Sequence, residues 1–166
     1  MLNKLTEWSN VKLTETEQLV KGFYETDGWK VHVAPVIVQR MSCFDFYLVK
    51  GSKEKLVELK ADARASSTGN FFIETLIIRD SGKNSPGWYN KLPAHLFSNF
   101  ETCPHLITWL YGGKLLEVHS EELIDLVESS TKWKERETKG SYRARGYLIP
   151  VRDVESLLSS VIYELP

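Results

Sequence analysis

Apolar and polar residues repeat along this chain with two periods, one typical of helices and one of strands. Within residues 14–24 the apolar positions fall at helical spacing, and Thr14 or Thr16 with the nearby acid Glu17 is typical of a helix start. Gly28 ends this pattern. The spacing therefore predicts an opening helix that stops before the first strand.

Four short apolar runs follow, rich in β-branched and aromatic residues, and each predicts extended structure. The first, KVHVAPVIVQRM, contains Pro35, which is compatible with an edge strand, a bulge or two pieces. The other three are separated by short segments that contain glycine: CFDFYLV, KLVELKA and NFFIETLII. Because short turns join neighbouring strands, we expect these three to be consecutive antiparallel strands at the centre of a sheet.

The second half of the chain predicts a hairpin, two helices and another strand. Residues 80–104, rich in Gly, Pro and aromatics, predict a folded loop with room for one short helix. HLITWLY and KLLEVH flank Gly112–Gly113 and predict a hairpin, after which Ser120 is expected to cap a helix over SEELIDLVESS. GYLIPV and RDVESLLSSVIYEL predict a strand and a closing helix. The order of elements favours an α/β fold with a mixed sheet flanked by helices.

Composition bounds the function only loosely. The chain has 166 residues, 42% of them hydrophobic, which suits one domain over residues 1–166. With 21 basic and 22 acidic residues, it has no strong overall charge to attract a polyanion, so any DNA contact has to be local. Cys43 and Cys103 form no CxxC pair, and no run approaches the roughly 20 apolar residues of a membrane helix. We expect a soluble, cytoplasmic protein that does not enter membranes.

Two predicted strands carry charges that converge on one face. Side chains alternate along a strand, so Glu58 and Lys60 point to the same side of KLVELKA, together with Asp62. Asp45 lies between two phenylalanines of the preceding strand, where a lone carboxylate would be costly to bury. The cost disappears if Asp45 and Glu58 share a divalent cation, and their hard oxygen ligands suit Mg²⁺ or Mn²⁺. Lys60 beside that ion would act on a water and a phosphate.

A structural interpretation competes with this hypothesis. Glu58 and Lys60 can form a solvated strand face, while Asp45 pairs with a nearby Lys or Arg. A D…ExK pattern has low specificity by itself. The apolar character of both strands and the short turn between them favour the catalytic interpretation.

The segment FDFYLVKGSKEKLVELKAD resembles the core of the PD-(D/E)XK nuclease superfamily, and ADARASSTGNFFIET and GYLIPVRDVESLL resemble its compact phage and mobile-element members. The resemblance implies a restriction-endonuclease-like fold and Mg²⁺-dependent hydrolysis of DNA phosphodiesters in a bacterial or phage-infected cell. It assigns catalysis to Asp45, Glu58 and Lys60, and metal binding to Asp45, Glu58 and the backbone carbonyl of Leu59. The Pro of the family's name is Phe44 here.

Several residues are candidates to support this site. Glu74 is predicted to bind the metal, to support Lys60 or to form an ion pair. Members of the superfamily often place a further Glu on the first helix, for which Glu17 is preferred over Glu15 and Glu25. Asp62 is expected to pair with Arg64 or Arg79.

The segment TKWKERETKGSYRARG is a local basic patch with interleaved aromatic residues. Because basic groups neutralise phosphates and aromatic rings stack on bases, it predicts a flexible DNA-contacting loop, although a merely solvated loop is the simpler alternative. Thr68 and Asn70 are predicted to shape a turn and to contact DNA. The remaining predicted DNA contacts are Lys132, Trp133, Lys134, Arg136, Lys139, Tyr142, Arg143 and Arg145.

Three function classes remain open. The first is a Mg²⁺-dependent DNA endonuclease, and the second is a catalytically silent module of the same fold that binds DNA or protein. The third is an unrelated structural protein. Since one active site cuts one strand at a time, cleavage of both strands favours a homodimer or homotetramer.

Overall fold

The computed structural model describes residues 12–42, 44–92, 103–139 and 143–165, which form helices and two β-sheets in a mixed α/β fold. The predicted α/β class is confirmed. The helices of these ranges are α1 Glu15–Thr26, α2 Val36–Ser42, α3 Ala65–Thr68, α4 Ser120–Glu128 and α5 Val151–Glu155. The strands are β1 Lys30–Val33, β2 Phe46–Lys50, β3 Lys53–Ala61, β4 Asn70–Ile78, β5 Ser85–Pro86, β6 His105–Tyr111, β7 Lys114–His119, β8 Glu135–Glu137, β9 Arg143–Pro150 and β10 Val161–Glu164. None of these helices is long and apolar enough to cross a membrane.

The larger sheet has six strands in the order β1-β2-β3-β6-β7-β10. The two predicted hairpins, β2–β3 and β6–β7, are confirmed, and β3 pairs with β6 in parallel. Gly112 and Gly113 turn the second hairpin with φ of 53° and 79°, angles that glycine adopts without steric cost. As a result, β3 lies inside the sheet, between an antiparallel and a parallel neighbour.

The smaller sheet has the order β5-β4-β9-β8, and it corrects the predicted three-stranded meander. NFFIETLII forms β4, but β4 pairs with β9 and β5 rather than with β3. The chain changes direction between the strands, through α3 and Gly69 at φ 66°. At Gly146 of β9 a Cβ would lie 2.2 Å from the carbonyl oxygen of Ile73, so only glycine allows this close approach beside the bulge in β4.

Three other elements differ from expectation. VIVQRM is helical in α2 rather than extended. The backbone turns after Pro35, and the backbone N–H of Gln39 donates to the Pro35 carbonyl at 3.0 Å. The predicted closing helix stops after one short turn, α5, and VIYE forms β10 against β7. Helix α4 begins at Ser120 itself, so the residue at its N-cap is His119.

The opening helix is confirmed, with Thr14 as its N-cap and Glu17 completing a capping box. In the predicted loop of residues 80–104, β5 and a 3₁₀ turn at residues 89–92 are ordered, while residues 93–102 lie outside the described ranges.

Both faces of the larger sheet are covered by apolar side chains. On one face α1 packs Val20 and Tyr24 against Val57 of β3. On the other face Phe71 of the smaller sheet stacks on Trp109 of β6, with ring centroids 4.6 Å apart. Any charged side chain in the middle of β3 is therefore partly enclosed on either face.

Candidate active site

Strand β3 places Glu58 and Lys60 on the face of the larger sheet that looks toward the smaller sheet. In the parallel pairing with β6, Glu58 lies opposite Ile107 and Lys60 opposite Trp109, and both β6 residues belong to the core between the sheets. The Glu58 residue is only 6% exposed. A carboxylate is rarely buried to this degree without a partner, so its surroundings decide what it can do.

Asp45 immediately precedes β2 and faces the same site. Its amide donates to the Val57 carbonyl at 2.7 Å, and its own carbonyl accepts from the Ala34 amide at 2.8 Å. The side-chain oxygen Oδ2 accepts the backbone amide of Leu59 at 2.7 Å. Asp45 is thus held between two strands, with its carboxylate directed at the segment that carries Glu58 and Lys60.

Lys60 adds a cation to the two acids. Its ammonium donates a hydrogen bond to Oε1 of Glu58 and lies 5.1 Å from the centroid of the Trp88 ring. The Lys60 side chain is 25% exposed, so it is partly accessible to solvent. The structure therefore brings together the three residues that the spacing singled out.

The acids dominate the electrostatics of this site. Burial, followed by repulsion from Glu58, raises the pKa of Asp45 to about 7, although the Leu59 hydrogen bond and Lys60 both act to lower it. Two carboxylates, Glu58 buried and Asp45 partly buried, leave an excess of negative charge beside one ammonium when both are ionised. Such a site favours a proton or an added cation.

Glu17 of α1 contributes to the same field, since its charge also raises the pKa of Asp45. Its own carboxylate accepts from the Thr14 amide at 2.6 Å, so it also closes the start of the helix. Of the alternatives, Glu25 pairs instead with Lys21 at 2.5 Å. The support of the site by Glu17 stays a prediction.

Two other predicted acids have different surroundings. Asp62 accepts the backbone amides of Arg64, Ala65 and Phe72 at 3.1, 3.0 and 3.4 Å, so its predicted pairing with an arginine side chain is wrong. These bonds attach the start of α3 to β4. Glu74 lies in the smaller sheet at the bulge of β4 and is partly buried; its support of the metal or of Lys60 stays a prediction.

The side chains of Asp45 and Glu58 are oxygen donors, the type of ligand that suits Mg²⁺ better than Zn²⁺. Within the described residues, no three or more His, Cys, Asp or Glu side chains are grouped as metal ligands. Mg²⁺, however, is commonly held by one or two carboxylates together with waters and substrate phosphates. Asp45, Glu58 and the backbone carbonyl of Leu59 stay the predicted ligands.

The predicted basic segment is not one continuous loop, because it includes β8 and the start of β9. Alternation along β8 separates its charges: Glu135 and Glu137 form ion pairs with Arg143 and Arg145 of β9. The intervening Arg136 points the other way. Lys139 is exposed beyond β8, and Tyr142 lies outside the described residues.

On the side of Arg136, several of the predicted DNA contacts meet in one groove of about 340 Å³. Asn70, from the start of β4, reaches this groove, and its amide also closes the turn by donating to the Thr68 carbonyl at 2.7 Å. Thr68 therefore shapes the turn, as predicted. The groove is lined by Asn70, Lys132, Trp133, Lys134, Arg136, Leu148, Pro150, Arg152 and Asp153.

Sequence reasoning missed a second buried polar cluster, on the opposite face of β3. Lys55 donates to both oxygens of Glu117 at 2.8 and 3.1 Å, and Glu117 also accepts the hydroxyls of Tyr24 and Tyr163. The partners come from α1, β3, β7 and β10. No local signal in the sequence links residues so far apart, so only the strand pairing reveals them.

No protein-family model matches this sequence, and no curated protein shows significant similarity to it.

Proposed function

We propose that this protein is a Mg²⁺-dependent DNA endonuclease whose active site is formed by Asp45, Glu58 and Lys60. The observation that supports the proposal is the pair of carboxylates enclosed between two strands, with the pKa of Asp45 raised to about 7. Holding two acids together costs stability, and a stable fold gains nothing from it unless a cation binds there.

Asp45 and Glu58 would hold the ion, which supplies a Lewis acid for the phosphate and lowers the pKa of a bound water. The remaining tasks belong to the chain itself. The Leu59 amide fixes one oxygen of Asp45, so the carboxylate keeps its orientation when a substrate enters. Glu17 adds negative charge without occupying the site.

Lys60 would act on the substrate rather than on the ion. Its ammonium is held by Glu58 and stands against the Trp88 ring, which limits the volume it explores. From that position it can orient the attacking water and stabilise charge that develops on a phosphate oxygen. The partly exposed side chain gives a DNA strand access to this group.

The test is a supercoiled-plasmid nicking assay with Mg²⁺ and with EDTA, paired with calorimetry of Mg²⁺ binding. We expect nicking only with the metal, and a loss of Mg²⁺ binding in Asp45→Ala. Nicking that persists in EDTA, or unchanged Mg²⁺ affinity in Asp45→Ala, would contradict the proposal.

The alternative is a catalytically silent DNA- or protein-binding module of the same fold. One observation favours it: Lys60 already compensates part of the charge of Glu58. The same assay separates the two, because a silent module binds DNA but leaves the plasmid supercoiled at every Mg²⁺ concentration.

A further inference from the structure

The groove on the outer side of the smaller sheet combines an apolar floor with a basic rim. Trp133, Leu148 and Pro150 form apolar lining, and Leu148 is 40% exposed although it lies in the middle of a strand. Around them are four basic side chains and one carboxylate: Lys132, Lys134, Arg136, Arg152 and Asp153. An exposed apolar surface inside a ring of cations is typical of a binding site for an amphipathic anion.

Strand alternation makes this rim more cationic than the sequence suggests. On β8, Glu135 and Glu137 point away from the groove and are occupied by Arg143 and Arg145. Lys134 and Arg136 face the groove, and neither forms an ion pair with any residue that the structure describes. The ion-paired acids of β8 therefore lie on one face, and Lys134 and Arg136 lie on the other. The two remaining cations of the rim, Lys132 and Arg152, share the carboxylate of Asp153.

Trp133 gives the groove a rigid aromatic surface. Its indole N–H donates to the Leu126 carbonyl at 3.2 Å, and the ring packs against the main core, so its position is fixed. The Lys132 ammonium lies 4.4 Å from the ring centroid and covers one face of the indole as a cation–π partner. Because the Lys132 side chain is 64% exposed, it can move from the ring to a neighbouring phosphate.

We infer that this groove binds single-stranded DNA, with a base against Trp133 and Leu148 and the flanking phosphates on Lys134 and Arg136. A duplex offers phosphates on its outside but keeps its base faces stacked, so its bases cannot pack against the recessed apolar floor. A single strand can supply both, since every base has an apolar face and a charged linkage beside it.

The groove is separate from the candidate active site. Arg136, Leu148 and Asn70 lie on the outer face of the smaller sheet, whereas Glu58 and Lys60 face its inner side. The inference rests on the proposed function for DNA as the partner but does not require hydrolysis. If the groove holds a single strand while the active site cuts another part of the same DNA, the substrate is a branched or frayed DNA.

Fluorescence anisotropy in EDTA tests the binding independently of cleavage. The probe is a labelled single-stranded oligothymidylate, compared with a duplex of equal length and with an abasic strand that keeps the phosphates. We expect the wild-type protein to prefer the oligothymidylate, and the abasic strand to lose on the order of 10-fold in affinity per stacked base. Equal binding of the duplex or of the abasic strand would overturn the inference.

Two double variants that remove the same charge locate the site. Lys134→Ala with Arg136→Ala should weaken binding by on the order of 10-fold. Because two phosphate contacts are lost, the slope of log affinity against log salt concentration should become shallower by about 1.4. Lys30→Ala with Lys53→Ala, at exposed positions of the larger sheet outside the groove, should leave both quantities close to wild type. Equal losses in the two variants, or a loss only in the second, would overturn the placement. Equally strong competition by polyglutamate would show a site for any polyanion and would also overturn it.

Discussion

Strand β3 contributes a lysine to a partly buried lysine–carboxylate pair on each of its faces, and the two pairs differ in how fully their charges are compensated. On the face toward α1, Lys55 and Glu117 are 12% and 6% exposed, and their charges cancel. On the opposite face, Lys60 is paired with Glu58, but Asp45 adds a second carboxylate to the same space. The charges are thus balanced on the face with Glu117, called the closed cluster here, whereas the face with Asp45 has an excess of negative charge.

In the closed cluster, each carboxylate oxygen of Glu117 accepts two hydrogen bonds. Glu117 accepts from Lys55 and from two phenols, and burial with the charge of Glu117 holds the pKa of the Tyr24 hydroxyl well above its usual value. Tyr24 therefore remains a donor at physiological pH. The same causes raise the pKa of Tyr163 to about 12. A cluster with every charge matched has no need of an external ligand.

The comparison teaches that burial alone does not mark a functional charge. Each face of β3 has a partly buried ion pair between a lysine and a glutamate. Only the face with Asp45 has an acid whose pKa is raised toward neutrality by burial and by a like charge, a condition that a bound cation relieves. The predictions below separate the two faces.

The largest effect is expected from Lys60→Ala. Loss of a positioned charge-stabilising group should lower the nicking rate by about 10²–10⁴-fold while DNA and Mg²⁺ still bind. Lys60→Arg should rescue poorly, because a guanidinium is larger and does not readily release a proton. The matched control is Lys55→Met on the other face, which should cut at the wild-type rate per folded molecule. Wild-type cutting by Lys60→Ala would remove this face from consideration as the active site.

The next effect is on stability and belongs to the closed cluster. Glu117→Gln should lower the free energy of unfolding by about 3–5 kcal/mol, because it leaves the Lys55 ammonium buried without its counter-charge. Urea denaturation measures the loss. Combining Lys55→Met with Glu117→Leu should recover much of it, since an apolar pair of similar volume carries no unpaired charge. A double variant as unstable as Glu117→Gln would mean that the phenols, rather than the ion pair, hold this face together.

The smallest effect is a gain of stability in Asp45→Asn. Because the folded-state pKa of Asp45, about 7, lies above its unfolded value of about 3.9, folding favours the protonated acid. The wild-type protein should therefore lose stability as pH rises from about 4 to about 7. Asparagine does not ionise, so the variant should be more stable by about 1–3 kcal/mol above pH 7 and no more stable at pH 4.

Thermal unfolding across this pH range, without Mg²⁺, measures the difference. Adding Mg²⁺ should raise the melting temperature of the wild-type protein and not that of Asp45→Asn. A variant that is less stable than wild type at pH 8 would show that Asp45 has a structural role like that of Glu117.

Local patterns were sufficient to predict the elements that close on themselves. The capping box of Thr14 and Glu17, the Gly112–Gly113 hairpin and the alternation of Glu58 and Lys60 all depend on residues a few positions apart. The convergence of Asp45 on Glu58 follows from the short turn that joins β2 to β3. These are the features that most of the candidate site needs.

Partners distant in sequence could not be predicted in this way. Strand β4 has the composition of a meander strand, yet its register is set by β9, nearly half the chain away. VIYE looks like the end of a helix until β7 offers it an edge. The groove depends on Asn70 meeting Trp133, and the closed cluster on Tyr24 meeting Glu117. Propensity carries no information about which strand edge is available.

The parallel pairing of β3 with β6 has a consequence for the order in which this molecule folds. The β2–β3 hairpin closes a tight turn, whereas Leu56 must wait for His105, and closing that loop of about 50 residues costs roughly 3 kcal/mol of chain entropy. Asp45 and Glu58 can therefore meet in a solvated hairpin long before β6 arrives to bury them. We therefore expect their mutual repulsion to slow the late docking of β6, and a divalent ion bound by the open hairpin to speed it.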